Sequence, residues 1–218
     1  MALEYTLSID EIMQRLETAH SQKAVIRGEF LNAEYLFFRE HIKNQHVLVA
    51  GSGLGHDSFE LAGYNKSVVG IELIPSLVEY SNKRKQELGL DNLVFQNGDF
   101  TNLNMFNDRH FDSAVLNMGT IGNFDYKTQI LSEMTRVADT SYFDFYTQTL
   151  NGLKKRREMY IEEGWINVRI HGNRIMSDDG MDSTSLSGKE ITSILAPLGV
   201  RVRYHQFHEF AVMAEVTR

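Results

Sequence analysis

Short, nearly unbroken apolar runs at Val47–Ala50, Ser67–Ile71, Leu93–Gln96, Phe111–Leu116 and Ser141–Tyr146 predict buried strands. Between them the rhythm changes to helical spacing: Leu77, Val78 and Tyr80 follow Pro75, and Ile130, Leu131, Met134 and Val137 lie on one face of a segment from about Tyr126 to Ala138. Pro75 stands where a helix tolerates it, in the first turn, and Gly89 stands where the same helix would end. Strands alternating with helices predict a doubly wound α/β fold with a mostly parallel sheet. Two last extended runs, Val200–Phe207 and Glu209–Val216, are too close for a crossover and predict a terminal antiparallel hairpin.

Residues 1–44, ahead of the first strand, read as helical. Ile9, Ile12, Met13 and Leu16 mark one helix, with Ser8 or Asp10 as its cap; a second runs from about Glu29 to Ile42 and carries Phe30, Leu31, Ala33, Tyr35, Leu36 and Phe37. Such helices cover a core, and as a lid they would turn Tyr35 toward a substrate. Asn151 to Glu163 predicts a helix, whose Lys154–Arg157 run reads as a solvated face. Trp165 to Leu186 is polar and irregular, and Ile166–His171 and Arg174–Met176 around Gly172-Asn173 predict a hairpin over the site. Ser187 and Glu190 form a capping box opening a helix to about Ala196. Nothing marks a linker or repeat, so 1–218 reads as one domain, with 1–44 as a helical lid and 165–186 as a substrate-covering insertion.

Composition narrows the classes. At 218 residues, 42% hydrophobic and 23% charged, the chain is long and apolar enough for one ordinary core. It has no cysteine, which removes disulfides, zinc–thiolate sites and a cysteine nucleophile. His205 and His208 lack a third ligand nearby, so no metal is expected. The first residues lack the basic-then-apolar order of a secretory signal, and no apolar stretch approaches the roughly 18 residues of a membrane span. A cytoplasmic protein without a membrane partner is expected. A net charge of −7 argues against nucleic-acid binding.

The chemistry centres on Val47-Leu48-Val49-Ala50-Gly51-Ser52-Gly53-Leu54-Gly55. A strand, a glycine turn and then a helix with Asp57 as its N-cap hold a nucleotide-like ligand at the strand's carboxyl end. His56 occupies the place of the third glycine of a dinucleotide loop, and no lysine is present for a Walker A loop. Glu72, closing the second strand, can accept hydrogen bonds from both hydroxyls of a ribose. Asp99 and Phe100, after the third strand, suit the amine and the face of an adenine. Asn117 to Phe124 would floor the site, and Asp112, at the start of the fourth strand, reads as structural.

In order and spacing, Gly51-Ser52-Gly53-Leu54-Gly55, Glu72, Asp99-Phe100 and the closing hairpin resemble the class I S-adenosylmethionine (SAM)-dependent methyltransferases over nearly the whole chain. The resemblance implies a Rossmann-like seven-stranded sheet with its last strand antiparallel. It also implies SAM as cofactor and S-adenosylhomocysteine (SAH) as product, held by Gly51, Ser52, Gly53, Gly55, Asp57, Glu72, Leu73, Asp99, Phe100, Asn117, Met118 and Gly119. Val49 departs from the pattern, since the family usually carries an acid there. Gly119-Thr120-Ile121-Gly122-Asn123-Phe124 resembles a segment of the histidine Nα-methyltransferases whose asparagine contacts the substrate, which nominates Asn123. Tyr35 and His171 are the other candidate substrate contacts. No catalytic triad is visible, and the candidates for a base are Tyr35, Tyr146 and His171. An amino-directed nucleic-acid enzyme would show Asn/Asp-Pro-Pro-Tyr/Phe where Asn117-Met118-Gly119-Thr120 stands, and a magnesium-dependent catechol-type enzyme would need acids absent from Tyr146-Thr147-Gln148. The expected activity is methylation of a small-molecule acceptor, N-methylation of an amine or amino acid ahead of O-methylation, by a monomer or homodimer. The alternatives are a SAM-dependent cyclase releasing methylthioadenosine and a SAM-binding protein without turnover.

Overall fold

A computed structural model of the chain describes residues 8–20 and 24–218. Its main sheet has seven strands in the order β3-β2-β1-β4-β5-β10-β9. These are β1 (His46–Ala50), β2 (Ser67–Glu72), β3 (Leu93–Asn97), β4 (Phe111–Leu116), β5 (Ala138–Tyr146), β9 (Arg201–His208) and β10 (Ala211–Thr217). β1 to β5 pair in parallel, and β10 runs antiparallel to both β5 and β9, so the chain's last strand is the reversed one. The Rossmann-like sheet expected from the apolar runs is therefore present.

Both faces of the sheet are covered, which is why its central strands are apolar on both sides. α2 (Val25–His41), α3 (His56–Ala62) and α4 (Pro75–Leu88) lie over one face, packing Phe37, Phe38, Leu61 and Val78 on Val47, Val49, Val68 and Leu93. On the other face α5 (Lys127–Val137) and α7 (Gly188–Leu195) pack Ile130, Met134, Ile191 and Leu195 on Leu48, Ala114, Phe143 and Val216. Gly89 caps α4 at φ 65°, Pro75 sits in that helix's first turn, and Ser187 and Glu190 cap α7 reciprocally, all as the sequence predicts. Asp112 proves structural, its Oδ2 accepting from His46 N at 2.7 Å.

α1 (Ile9–His20) begins at a reciprocal cap between Ser8 and Glu11, so Ser8 rather than Asp10 opens it. The parts of the helical segment 1–44 at residues 1–7 and 21–23 lie outside the described residues. Three local expectations are corrected. α3 starts at His56 with Gly55 as its N-cap; Asp57 lies inside the first turn and does not cap it. The insertion is a three-stranded sheet, β6 (Arg169–His171), β7 (Arg174–Met176) and β8 (Asp182–Thr184), because Asp182–Thr184 adds to the hairpin's far strand. In α6 (Leu150–Glu162) the basic run is not wholly solvated: Arg156 is fully buried against the Tyr146 ring, donating to Ser185 Oγ and Ser183 O.

Candidate active site

Strand order reverses between β1 and β4, so the crevice of this sheet opens where the glycine loop and the Asn117–Gly119 turn leave adjacent strands. The loop is tied to β2 by Ser52 N, which donates to Ile71 O at 2.9 Å. Gly55 adopts φ 84° with the Phe95 ring 2.6 Å from where a Cβ would sit, so any other residue is strained and must displace that ring. Glu72, buried at the end of β2, reaches back to this loop: Oε2 accepts from Gly53 N at 2.9 Å and Oε1 from Ile74 N at 3.0 Å. Each carboxylate oxygen retains an acceptor site for a diol. Phe100 is buried with its ring against Gly51 and its edge against Phe124, 5.4 Å between centroids. Asp99 is exposed on the same rim, its Oδ1 accepting from Thr101 N. Leu73 is exposed beside Glu72, whereas Ser52 is buried under the loop.

The β4 side is built differently. Met118 and Gly119 both have positive φ, 61° and 65°, and a Cβ on Gly119 would meet the Tyr146 ring at 2.2 Å. Three buried acids converge on this turn. Glu34, from α2, accepts from Asn117 Nδ2 at 3.2 Å and Met118 N at 3.4 Å; Asp144, from β5, accepts from Gly119 N at 2.8 Å. Asp57, from α3, is paired with His20 of α1, Nε2 to Oδ2 3.5 Å. Burial and the nearby charges of Asp144 and Asp57 hold the Glu34 carboxyl well above the ordinary range. Burial pushes Asp144 up to about 7. Burial also works to raise Asp57, but the hydrogen bond and charge of His20 outweigh it and leave that carboxyl below its ordinary value.

Of the candidate bases, Tyr146 is at the turn: its hydroxyl donates to Met118 O at 2.9 Å and accepts from Arg27 Nη1 at 3.3 Å. Tyr35 is half-buried beside Asp57, and burial together with that charge raises its hydroxyl's pKa and keeps it protonated. Asn123 ends a 3-10 turn, Thr120–Asn123, and is exposed. His171 is exposed on β6, the strand of the small sheet farthest from β8, and β8 is the strand that packs on the 3-10 turn. Sequence reasoning missed Glu34, Asp144 and His20. Two carried a signal, since Glu34 interrupts the apolar stripe of Phe30, Phe37 and Phe38, and Asp144 interrupts Tyr142-Phe143-Phe145-Tyr146. Surface concavities along Arg201–Arg203 and beside Asn102 and Gln129 lie elsewhere, and strand topology locates the site.

A family model described as a methyltransferase domain matches residues 41–176, well over half of the chain. The chain belongs to this methyltransferase family. The class I SAM-dependent methyltransferase expected from the glycine loop and its followers stands, with SAM as its methyl donor. Among solved structures it is similar to the PH0226 protein of Pyrococcus horikoshii OT3 (19% identity, TM-score 0.69, 91% of this chain and 92% of that one). A SAM-dependent methyltransferase from Aquifex aeolicus aligns at 17% identity and TM-score 0.64, over 92% and 96% of the two chains. The magnesium protoporphyrin IX methyltransferase ChlM of Synechocystis PCC 6803 with bound SAH aligns at 16% identity and TM-score 0.61, over 97% and 88%. These likenesses are of fold. No curated protein matches the sequence. Among the described residues no helix is long and apolar enough to cross a membrane.

Proposed function

We propose that this methyltransferase transfers a methyl group to the nitrogen of a small amine or amino acid. The observation that carries the reading is the enclosure of the crevice. α1 lies across the glycine loop, with Leu16 methyls 3.7 and 3.8 Å from where a Cβ of Gly53 would sit, and Ile12 packs on Leu54 and Leu77. The same helix is tied to α4 through Tyr80 donating to Glu17, and to the insertion through Arg15, which donates to Asp179 O at 3.2 Å and stacks over Trp165 at 4.0 Å. A roof built from both segments suits an acceptor of metabolite size. The buried acids beneath the roof favour a cationic acceptor over an anionic one.

SAM would be held with its ribose on Glu72, its adenine between Asp99 and Phe100, and its methionyl end along Gly51–Gly55. The residues fit the group: a buried carboxylate with spare acceptor sites closes β2, and the lack of a Cβ at Gly51 and Gly53 leaves the loop backbone approachable beneath Phe100 and Leu16. SAM brings a methyl carbon already activated by a sulfonium, so the chain mainly has to align an acceptor with it and exclude water. Alignment of this kind can be worth roughly 7–11 kcal/mol. Hydrogen bonds from Asn117, Met118 and Gly119 to Glu34 and Asp144 fix the turn on which the acceptor would rest. The test is incubation with methyl-labelled SAM and a metabolite extract. Label on a small amine with release of SAH supports the reading; label on an oxygen, on protein or on RNA, or release of methylthioadenosine, overturns it.

A further inference from the structure

Glu34, Asp57 and Asp144 are 0%, 6% and 0% exposed, and all three reach the turn that floors the crevice. Among the described residues only Asp57 of the three has a cationic partner in contact, His20. Asp144 uses Oδ1 to accept from Gly119 N, while its Oδ2 is buried with no hydrogen-bond partner in the structure. Arg27, whose charge acts on Asp144, spends its Nε on Glu163 at 2.6 Å and its Nη1 on the Tyr146 hydroxyl, and it makes no hydrogen bond to that oxygen. Burying a carboxylate oxygen unpaired is costly, because the water it loses is replaced by nothing. A fold that merely needed acceptors for Met118 N and Gly119 N would manage with glutamine and asparagine.

We propose that Glu34 and Asp144 form the recognition site for the positively charged nitrogen of the methyl acceptor, with the unpartnered Oδ2 of Asp144 as its hydrogen-bond acceptor. This rests on the methyl-transfer reading above and names the acceptor class as an alkylammonium. The two acids come from α2 and β5, and between them stands the Asn117–Gly119 turn at the point where the strand order reverses. A cation resting on this turn meets two carboxylates in a medium of low dielectric, where the attraction is several-fold stronger than in water. Among the described residues no three acidic or histidine side chains are grouped to chelate a metal ion, so the geometry suits a molecular cation. Before the nitrogen can attack, the ammonium would pass one N–H proton to Asp144 Oδ2, where burial favours the protonated carboxyl; the freed lone pair would then form the C–N bond as the methyl's C–S bond breaks.

The probe is sinefungin, in which a carbon replaces SAM's sulfur and a primary amine stands in place of the transferred methyl, toward the acceptor, compared with SAH, which has an uncharged sulfur and nothing in the methyl's place. Calorimetric titration of the full chain is expected to show sinefungin binding at least tenfold more tightly than SAH. In Glu34→Gln and Asp144→Asn that advantage should fall below threefold while SAH affinity stays within threefold of wild type. An advantage kept in both variants, or equal binding of the two ligands to the wild type, overturns the proposal. Should either variant fail to fold, the wild-type ratio decides. Absence of SAH and SAM binding in the wild type would instead sink the cofactor placement on which the proposal rests.

Discussion

The two halves of the crevice are made in opposite ways. Along β1, β2 and β3 the site is mostly backbone: three glycines within five residues, one carboxylate fastening them to the next strand, and an aromatic ring against Gly51. At the ends of β4 and β5 it is mostly side chain, assembled from α2, α3, β5 and the Asn117–Gly119 turn. The first half needs particular conformations at consecutive positions, so its residues lie together in sequence. The second half needs charge in a dry place, which any element passing nearby can supply. The contrast suits the proposed division of labour, in which the backbone half would hold SAM and the side-chain half would meet the acceptor.

The largest effect is expected where conformation is least negotiable. Gly55→Ala puts a Cβ into a backbone at φ 84° and into the Phe95 ring at 2.6 Å. Left-handed strain and overpacking together predict a loss of about 2–4 kcal/mol, read as a lowered urea midpoint. A change under about 0.5 kcal/mol, the scatter of neutral substitutions, would show that the loop relaxes freely and that the conformational half of the comparison is mistaken.

Glu72→Ala comes next. It removes the acceptor for Gly53 N and Ile74 N and the expected partner of the ribose. Hydrogen bonds to a charged group contribute about 1.5–3 kcal/mol, so SAM affinity should fall about 10- to 100-fold by calorimetry. Glu72→Gln, which keeps one carbonyl oxygen, should fall less. Unchanged affinity in the alanine variant would remove Glu72 from the cofactor site.

The same contrast sets how much of the molecule is legible in its sequence. The order of strands and helices, the reversed last strand, Gly89, Pro75 and the Ser187–Glu190 cap are local signals, and each survives. So does the grouping of Gly51–Gly55 with Glu72 and Phe100, because a turn after one strand and the end of its neighbour must meet. The acid group is not legible, since residues 34, 57 and 144 come together only through packing of α2 on the sheet. Residue type alone points to Asp57 as a helix cap, and Gly55 takes that position because its left-handed backbone already ends the turn. His171 is a titratable residue in a covering segment, but the third strand of the small sheet lies between it and the turn.

On the β4 side, Asp144→Asn should show what the buried charge costs. Burial raises the native carboxyl to about 7 from an ordinary aspartate value of 3.8. Between those values the native state holds a proton that the unfolded chain has lost, so this group's contribution to stability falls as pH rises and is lowest above about 7. Asparagine keeps the acceptor for Gly119 N without the charge. The variant should therefore exceed wild type by roughly 1–3 kcal/mol at about pH 8 and match it near pH 4, compared by urea unfolding. A stability advantage no larger at the higher pH than at the lower would mean that the carboxylate is already compensated, and the side-chain half would lose its distinctive feature.

Tyr146→Phe should have the smallest effect and separates positioning from packing in that same half. The ring is held independently of its hydroxyl: it stacks under the Arg156 guanidinium at 4.2 Å and packs on Phe30 and Phe210 at 5.9 Å each. Removing the oxygen leaves Met118 O without its donor and Arg27 Nη1 without the phenol, although Arg27 keeps Glu163. One neutral hydrogen bond and one charge-assisted partner predict a loss of about 1–2 kcal/mol. SAH affinity should stay within about threefold, because Met118 N remains fixed by Glu34 and Gly119 N by Asp144. If SAH binding instead fell as far as in Glu72→Ala, the turn would owe its shape to this hydroxyl. The β4 side would then depend on one fixed conformation, as the glycine loop does, and the division between a backbone half and a side-chain half would not hold.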